Sequence, residues 1–235
     1  MTDRLTDVLE TLSGSVHYQA WIYHHLQDGL GRSILDIGSG LGDLPQLFGV
    51  NANRTIVVSN ADEPLVERLR RRYAGCPNYR VIRLRLGEAD APDVLAPEAV
   101  DTITCVNVLE HIRHDRTALR QMHRMLAPGG MLLLMVPALP CLFGPADQAV
   151  GHYRRYTAPH VNRKLRQTGF VVERQRYMNF FGMFTWWLGG ALFGAGMFDA
   201  HACGLLDQLV PWLERLERLW TPPVGQSLVT ICRKM

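Results

Sequence analysis

The stretch Ile34-Leu35-Asp36-Ile37-Gly38-Ser39-Gly40-Leu41-Gly42 does more than any other to limit what this chain can become. Apolar residues, two of them β-branched, lead into an acidic side chain and then glycines at alternate positions. That order predicts a buried parallel strand ending in a tight turn. Glycine admits positive φ and lets a ligand reach main-chain N–H groups with no Cβ in the way. Asp36, at the strand's end, would aim a carboxylate into the same crevice. A dinucleotide-binding turn reads G-x-G-x-x-G, whereas this one runs Gly38-x-Gly40-x-Gly42 and is followed by Asp43. An Asp beside a pyrophosphate would repel it, so a ligand without phosphates fits better.

The rest of the chain alternates strand and helix signals. Helices are predicted near Asp3–Leu12 and Val16–Gln27, the second with Tyr18, Trp21, Ile22 and His25 on one face. A short helix over Asp43–Phe48, strand two at Thr55–Ser59 and a helix opened by Asp62 with Leu65, Leu69 and Tyr73 inward follow. Strand three is placed at Arg80–Leu86, where alternating arginines suit a sheet edge, and strand four at Val100–Val106, in the centre. A helix over Asp115–Leu126 is ended by Ala127-Pro128-Gly129-Gly130, and strand five is Met131–Val136. Beyond it lie a long connection to Thr157, a helix over Pro159–Thr168, a strand from Phe170 to about Tyr177 and a last strand at Ser227–Cys232. Such alternation means βαβ units and a parallel, doubly wound sheet with its ligand beyond the carboxyl ends of the strands. The segments Asp36–Gly42, Asn60–Asp62, Leu86–Glu88 and Asn107–His111 then ring one crevice. Roughly 50 residues separate the last two strands, far more than a hairpin needs. Within them Leu206, Leu209, Leu213, Leu216 and Trp220 form one stripe of a helix read as part of a substrate cap.

With 25 basic and 22 acidic residues, the net charge of +3 is too small and dispersed to argue for nucleic acid. Five cysteines without a C-x-x-C pair argue against a disulfide framework and a thiolate zinc site, which suits a reducing compartment. The first ten residues carry Asp3, Arg4, Asp7 and Glu10 rather than an apolar core, so no secretory signal is read there and the cytoplasm is expected. Tyr177–Phe198 has no charged residue, a length that could span a bilayer, but five glycines and Asn179 interrupt it. The favoured readings are a buried strand followed by an apolar lid, or a surface that touches lipid, over a true membrane span.

The glycine turn, D-x-G-x-G-x-G from Asp36 to Gly42, resembles motif I of class I S-adenosylmethionine-dependent methyltransferases. Asn107-Val108-Leu109-Glu110-His111 and Leu126-Ala127-Pro128-Gly129-Gly130 look like the regions that follow it, and Gly151-His152-Tyr153-Arg154-Arg155-Tyr156-Thr157 with Gly225-Gln226-Ser227 looks like a bacterial small-molecule subgroup. The resemblance implies a single α/β domain over residues 1–235: a Rossmann-like, doubly wound, seven-stranded, mostly parallel sheet. A helical cover over 1–30 and a helical cap inserted over 178–224 would complete it. It implies S-adenosylmethionine as cofactor, held by Tyr18, Asp36, Gly38, Ser39, Gly40, Gly42, Asn60, Ala61, Asp62, Leu86, Gly87, Asn107 and Val108. Two positions depart from the pattern. Asn60 stands where an acidic residue normally accepts from both ribose hydroxyls, and Arg85 stands where an Asp accepts from the adenine amino group. Arginine has no acceptor; Glu88 or Asp90 could take over, and Asp62 could serve the ribose.

Methyl transfer is an in-line displacement that needs positioning first and a base only where the nucleophile must lose a proton. His111, His152 and Tyr153 are the catalytic candidates, with Arg154 and Arg155 as loop-fixing or substrate-holding neighbours. His111-x-x-His114 lacks a third ligand, so no metal site is expected. The expected function is methyl transfer to a small, fairly apolar molecule of specialised metabolism, with a homodimer left open. The rival is a methyltransferase-like protein that has turned to another reaction, such as a shape-steered cyclisation, or only binds.

Overall fold

The structure, a computed structural model, describes residues 15–50, 53–87, 99–193 and 200–235. The helix expected over Asp3–Leu12, and Glu88 and Asp90, lie outside the described residues. Strands β1 (Ser33–Ile37), β2 (Thr55–Asn60), β3 (Tyr79–Arg83), β4 (Val100–Val106), β5 (Leu126–Pro137), β6 (Phe170–Met178) and β7 (Ser227–Lys234) form one sheet in the order β3-β2-β1-β4-β5-β7-β6. Neighbours from β3 through β5 are parallel, and β7 runs antiparallel between β5 and β6. This is the seven-stranded, mostly parallel sheet expected, with β3 at the edge and β4 central.

Helices cover both faces, because alternate residues of a strand point to opposite sides. Leu35, Ile103, Leu132 and Leu134 pack with Leu119 and Met122 of α4 (Asp115–Met125) and Val161 and Leu165 of α6 (Ala158–Gln167). Ile34, Ile56, Val58 and Leu133 pack on the other face. Their partners are Trp21, Ile22 and Leu26 of α1 (Val16–Leu26), Phe48 of α2 (Asp43–Phe48) and Leu69 of α3 (Glu63–Arg72). Each fully buried large side chain stabilises by roughly 1.5–3 kcal/mol. Trp21 and Ile22 dock as their spacing predicts, both about fully buried.

Two boundaries differ from the sequence reading. β3 stops at Arg83, three residues early, since beyond Leu84 the chain leaves the edge of β2 for the crevice. Ala127–Gly130 are not a free turn: the chain is extended directly from the end of α4, and Leu126 already pairs with Val100 before the ladder shifts register.

The insertion between β6 and β7 holds α7 (Phe180–Phe193) and α8 (Ala200–Leu219), with the five-residue α5 (Pro145–Ala149) earlier in the chain. Most of the stripe on α8 faces away from the core, contrary to expectation. Leu213 packs against it, but Leu206, Leu209, Leu216 and Trp220 are exposed, while Asp207, Val210 and Glu217 turn inward. The reason is helix capping. Asp207 accepts from the N–H groups of His17 at 3.1 Å and Tyr18 at 2.9 Å, in the first turn of α1. Glu217 accepts from Asn179 at 3.1 Å and Phe180 at 2.7 Å, where α7 begins. The opening N–H groups of a helix have no partner within it, and an anion there also meets the positive end of the dipole. Those two carboxylates fix the rotation of α8. Among the described residues no helix is long and apolar enough to cross a membrane.

Asp207→Ala should therefore lower stability by about 1–3 kcal/mol, read by urea unfolding, because two first-turn N–H groups lose their acceptor. An exposed replacement on the same helix, Leu205→Ala, should stay within about 0.5 kcal/mol.

Candidate active site

β1 delivers Asp36 and Ile37 to the rim, and the chain turns through Gly38, Gly40 and Gly42 at φ of 70°, 56° and 93°. A Cβ on Gly38 would lie 2.4 Å from Cγ2 of Val108, so only glycine lets the end of β1 pass beneath the segment after β4. The turn is pinned from both sides. Ser39 N–H donates to Ser59 O at 2.8 Å, and the hydroxyls of Ser39 and Ser59 both donate to the Asp36 carbonyl at 3.1 and 2.9 Å. From α3 and its C-cap, Arg72 donates to Leu41 O at 3.0 Å and Tyr73 Oη to Gly42 O at 2.7 Å. Arg72 also pairs with Asp43 at 2.9 Å. The Asp43 charge is thus balanced, which weakens the sequence argument that it repels phosphate.

The Asp36 carboxylate is 3% exposed and accepts from the Thr104 hydroxyl. Burial raises its pKa from 3.8 to about 6, with Thr104 and Ser39 holding it lower than burial alone would. Among the described residues no cationic side chain pairs with it.

At the end of β2, Asn60 is nearly buried and its Oδ1 accepts from Asp62 N–H at 3.2 Å. The amide oxygen is engaged in the turn into α3. Asp62 occupies the N-cap position, but its side chain makes no capping hydrogen bond, contrary to the expectation that it would be needed as a cap. Ala61 O accepts from Arg83 Nε at 3.1 Å. Leu86 and Gly87 are tied to α4, where Gly87 N–H donates to Gln121 Oε1 at 2.8 Å, and Arg85 is exposed. The Tyr18 hydroxyl is bonded to Ser227 and Asn179, on the β6–β7 side of the same rim.

Asn107 takes φ of 52°, Val108 meets Gly38, and a 3-10 turn, Leu109–His111, follows. The connection after β5 folds back onto this turn, with Tyr153 N–H donating to Glu110 O at 2.9 Å. It brings His152 against His111, ring centroids 4.6 Å apart, and puts His152 Nε2 3.8 Å from Glu110 Oε1. Glu110 is fully buried, and neither carboxylate oxygen has a hydrogen-bond partner. Burial pushes its pKa up to about 8, with Asp147 adding to the rise and its own backbone amide and the charge of Arg155 opposing it. Burial, with the neighbouring His152, lowers the pKa of His111 to about 4. His152 Nδ1 lies 2.8 Å from Asp147 Oδ1. Asp147 is itself gripped by Arg155 Nε at 2.9 and 3.0 Å and by Gly144 N–H at 3.1 Å. Burial would raise its pKa, but the bonds from His152 and Arg155 hold it below the usual range. Arg155 lies 4.6 Å under the Trp186 ring, which links the cap to the cluster.

The structure therefore brings His111 and His152 together but leaves Tyr153 outside, the residue 55% exposed. His114 is exposed and takes no part. Arg154 holds Asp115 at 3.1 Å, beside Tyr156 and Lys164, and is a loop anchor. Glu110 and Asp147 were not singled out from the sequence. The available signals were a carboxylate lodged between Leu109 and His111, and an Asp five residues before His152 and eight before Arg155.

The strand order, the glycine turn under Val108 and the buried carboxylate beside it define a class I methyltransferase fold. The comparisons agree. Residues 35–132 match the family model Methyltransf_12, described as a methyltransferase domain. A probable S-adenosylmethionine-dependent methyltransferase of Mycolicibacterium smegmatis is 29% identical over 145 residues, 61% of this chain and 53% of that one. A ubiquinone biosynthesis O-methyltransferase of Pseudomonas putida is 32% identical over 104 residues, 43% of each chain. The chain thus spans about half the length of the curated relatives it matches. The solved structure of a Burkholderia thailandensis 1,6-didemethyltoxoflavin-N1-methyltransferase with bound S-adenosylhomocysteine has the same fold. It matches with a TM-score of 0.56 at 20% identity, over 92% of this chain and 76% of that one. Residues 35–132 are thus similar to a methyltransferase domain, the chain has the fold of class I methyltransferases, and the relative from Mycolicibacterium smegmatis is named for its dependence on S-adenosylmethionine.

The Asp36 shift has a measurable sign. A carboxyl whose folded pKa is raised adds stability that is complete below pH 3.8 and is lost as pH rises through about 6. Asp36→Asn, which keeps an acceptor for Thr104, should be more stable than the parent above pH 6 by on the order of 3 kcal/mol. The gap should close below pH 4, as followed by urea denaturation across the pH range.

Proposed function

We propose that this chain transfers a methyl group from S-adenosylmethionine to an oxygen of a small, largely apolar molecule. The observation that carries the reading is Asp36, a buried carboxylate with no cationic partner at a glycine turn. Such a group is costly to keep ionised unless a cationic ligand arrives to pair with it. The cofactor, when bound, supplies an electrophilic methyl carbon on a sulfonium. Asp36 with Gly38, Ser39, Gly40 and Gly42 would hold its charged amino-acid end, and Asn60, Ala61 and Asp62 its ribose. Leu86, Gly87, Asn107 and Val108 would line the base.

Asp62 takes the ribose acceptor role because its carboxylate is not used on α3, whereas the Asn60 oxygen is. His152, with Nδ1 oriented by Asp147, presents Nε2 to an acceptor hydroxyl and can take its proton. His111 stands beside it as a neutral ring, and Tyr153 contributes through its backbone. Phe180 packs on Phe181, Phe184 and Trp220 with centroids 5.3–5.4 Å apart, an aromatic cap that suits an apolar acceptor and excludes water. The relatives named as ubiquinone biosynthesis O-methyltransferases support oxygen as the acceptor atom.

Isothermal calorimetry with S-adenosylhomocysteine should show one binding site. Asn60→Asp, which keeps the turn acceptor and adds a charge, should tighten it about tenfold. Absence of heat at millimolar ligand for both proteins would overturn the reading.

One observation favours a second reading of the acceptor. Leu205, Leu209, Trp212, Leu216 and Leu219 share the outer face of α8 and are 42–85% exposed. A face of that kind suits the boundary of a lipid surface, from which an apolar acceptor would be taken. Co-sedimentation with phosphatidylglycerol vesicles should be strong for the parent and lost in Leu209→Glu/Trp212→Glu. Equal recovery in the supernatant for both proteins would exclude it.

A further inference from the structure

The donors gathered behind the methyl-transfer crevice form a constellation that proton transfer alone does not explain. Glu110, His111 and His152 each offer one ligand atom, and these atoms all lie within 4.8 Å of one another. An ion about 2.1 Å from each would set ligand pairs about 3.4 Å apart, so closure asks the widest pair to draw together by at most about 1.4 Å. We infer that Glu110, His111 and His152 form a binding site for a divalent transition-metal ion.

Three independent features support it. Both oxygens of Glu110 are unpartnered although the side chain is fully buried, and a buried carboxylate is normally satisfied by a donor or a metal. His152 is held the way metal-binding imidazoles are held. One ring nitrogen meets the Asp147 carboxylate, which fixes the tautomer and turns the other toward Glu110. The surroundings also suit a cation, since the carboxyl groups of Glu110 and Asp147 stand against the single guanidinium of Arg155, itself committed to Asp147. Two imidazoles and one carboxylate are a donor set for zinc, manganese, iron or cobalt rather than for magnesium or calcium, which prefer all-oxygen ligation.

Three protein ligands leave a coordination position open. The site lies two residues beyond Val108, whose side chain meets the glycine turn, and its His152 shares Asp147 with Arg155, which packs on Trp186. With His152 Nε2 bound to the ion, that nitrogen no longer acts as the base; a substrate hydroxyl on the ion would lose its proton to solvent instead, keeping its electron pair on oxygen. What the ion does rests on the methyltransferase reading; whether it binds does not.

The full chain, stripped with chelator and dialysed, is titrated with zinc chloride against a chromophoric competitor and separately with cobalt chloride. The parent should take up one equivalent of zinc and give visible cobalt absorption of a low-coordinate site. Glu110→Gln and His152→Ala should lose both, and the isosteric Asp147→Asn should weaken zinc about 10–100-fold with far-ultraviolet circular dichroism unchanged. His114→Ala, outside the cluster, should match the parent. A parent cobalt spectrum identical to that of the aqueous ion, or zinc affinity equal in parent and Asp147→Asn, would overturn the site. If Glu110→Gln or His152→Ala fails to fold, the parent spectrum and Asp147→Asn still decide. S-Adenosylhomocysteine calorimetry on the stripped protein keeps the two readings apart. Cofactor heat without zinc uptake rejects only the metal site, and zinc uptake without cofactor heat rejects only the methyl-transfer reading.

Discussion

Everything at the rim depends on the contact between Gly38 and Val108. The end of β1 passes so close beneath the segment after β4 that a methyl group on Gly38 would overlap a Val108 methyl. That approach sets Asp36, the glycine turn and the Asn107–His111 segment side by side. The turn itself is held by hydroxyls of Ser39 and Ser59 on one side and by Arg72 and Tyr73 on the other. A left-handed glycine run gains rigidity only from such external partners, because it has no regular hydrogen-bond ladder of its own.

Around this rim the chain places acids where helices begin. Asp207 serves α1 and Glu217 serves α7, so one helix of the insertion anchors both the N-terminal cover and the cap. Satisfying buried N–H groups outweighs burying a few leucines, since an unmet donor costs about 1–3 kcal/mol and a partly exposed leucine forfeits only part of its transfer energy. The apolar outer face of α8 follows from that balance. A similar logic orders the connection after β5, where Asp147 holds Arg155 and His152 while Asp115 holds Arg154, Tyr156 and Lys164.

The sheet was legible because its signals are local. Ile34–Ile37, Thr55–Ser59 and Val100–Val106 are short apolar runs closed by turn residues, and helix starts at Asp43 and Asp115 lie where the residues suggested. Where a single local pattern had two meanings, the reading failed. The leucine stripe of α8 looks the same whether it faces the core or solvent, and the arginines of β3 do not mark where pairing with β2 ends. Asn60 was recognised as a departure, but nothing in the sequence shows that its oxygen is used by Asp62 N–H. The histidines were found singly; Glu110, 42 residues before His152, was not.

The order of strand and helix signals and the spacing of three glycines determined the fold, because both depend on residues that are neighbours in the chain. Tertiary structure alone decided which side chains share the crevice. Glu110 and His152 meet only because the connection after β5 folds back onto the 3-10 turn beyond β4 and lays His152 against it. Whether Glu110 is an ordinary surface acid or a buried carboxylate without a partner is a property of that contact. Desolvation depends on what surrounds a group in space, and no local pattern records it.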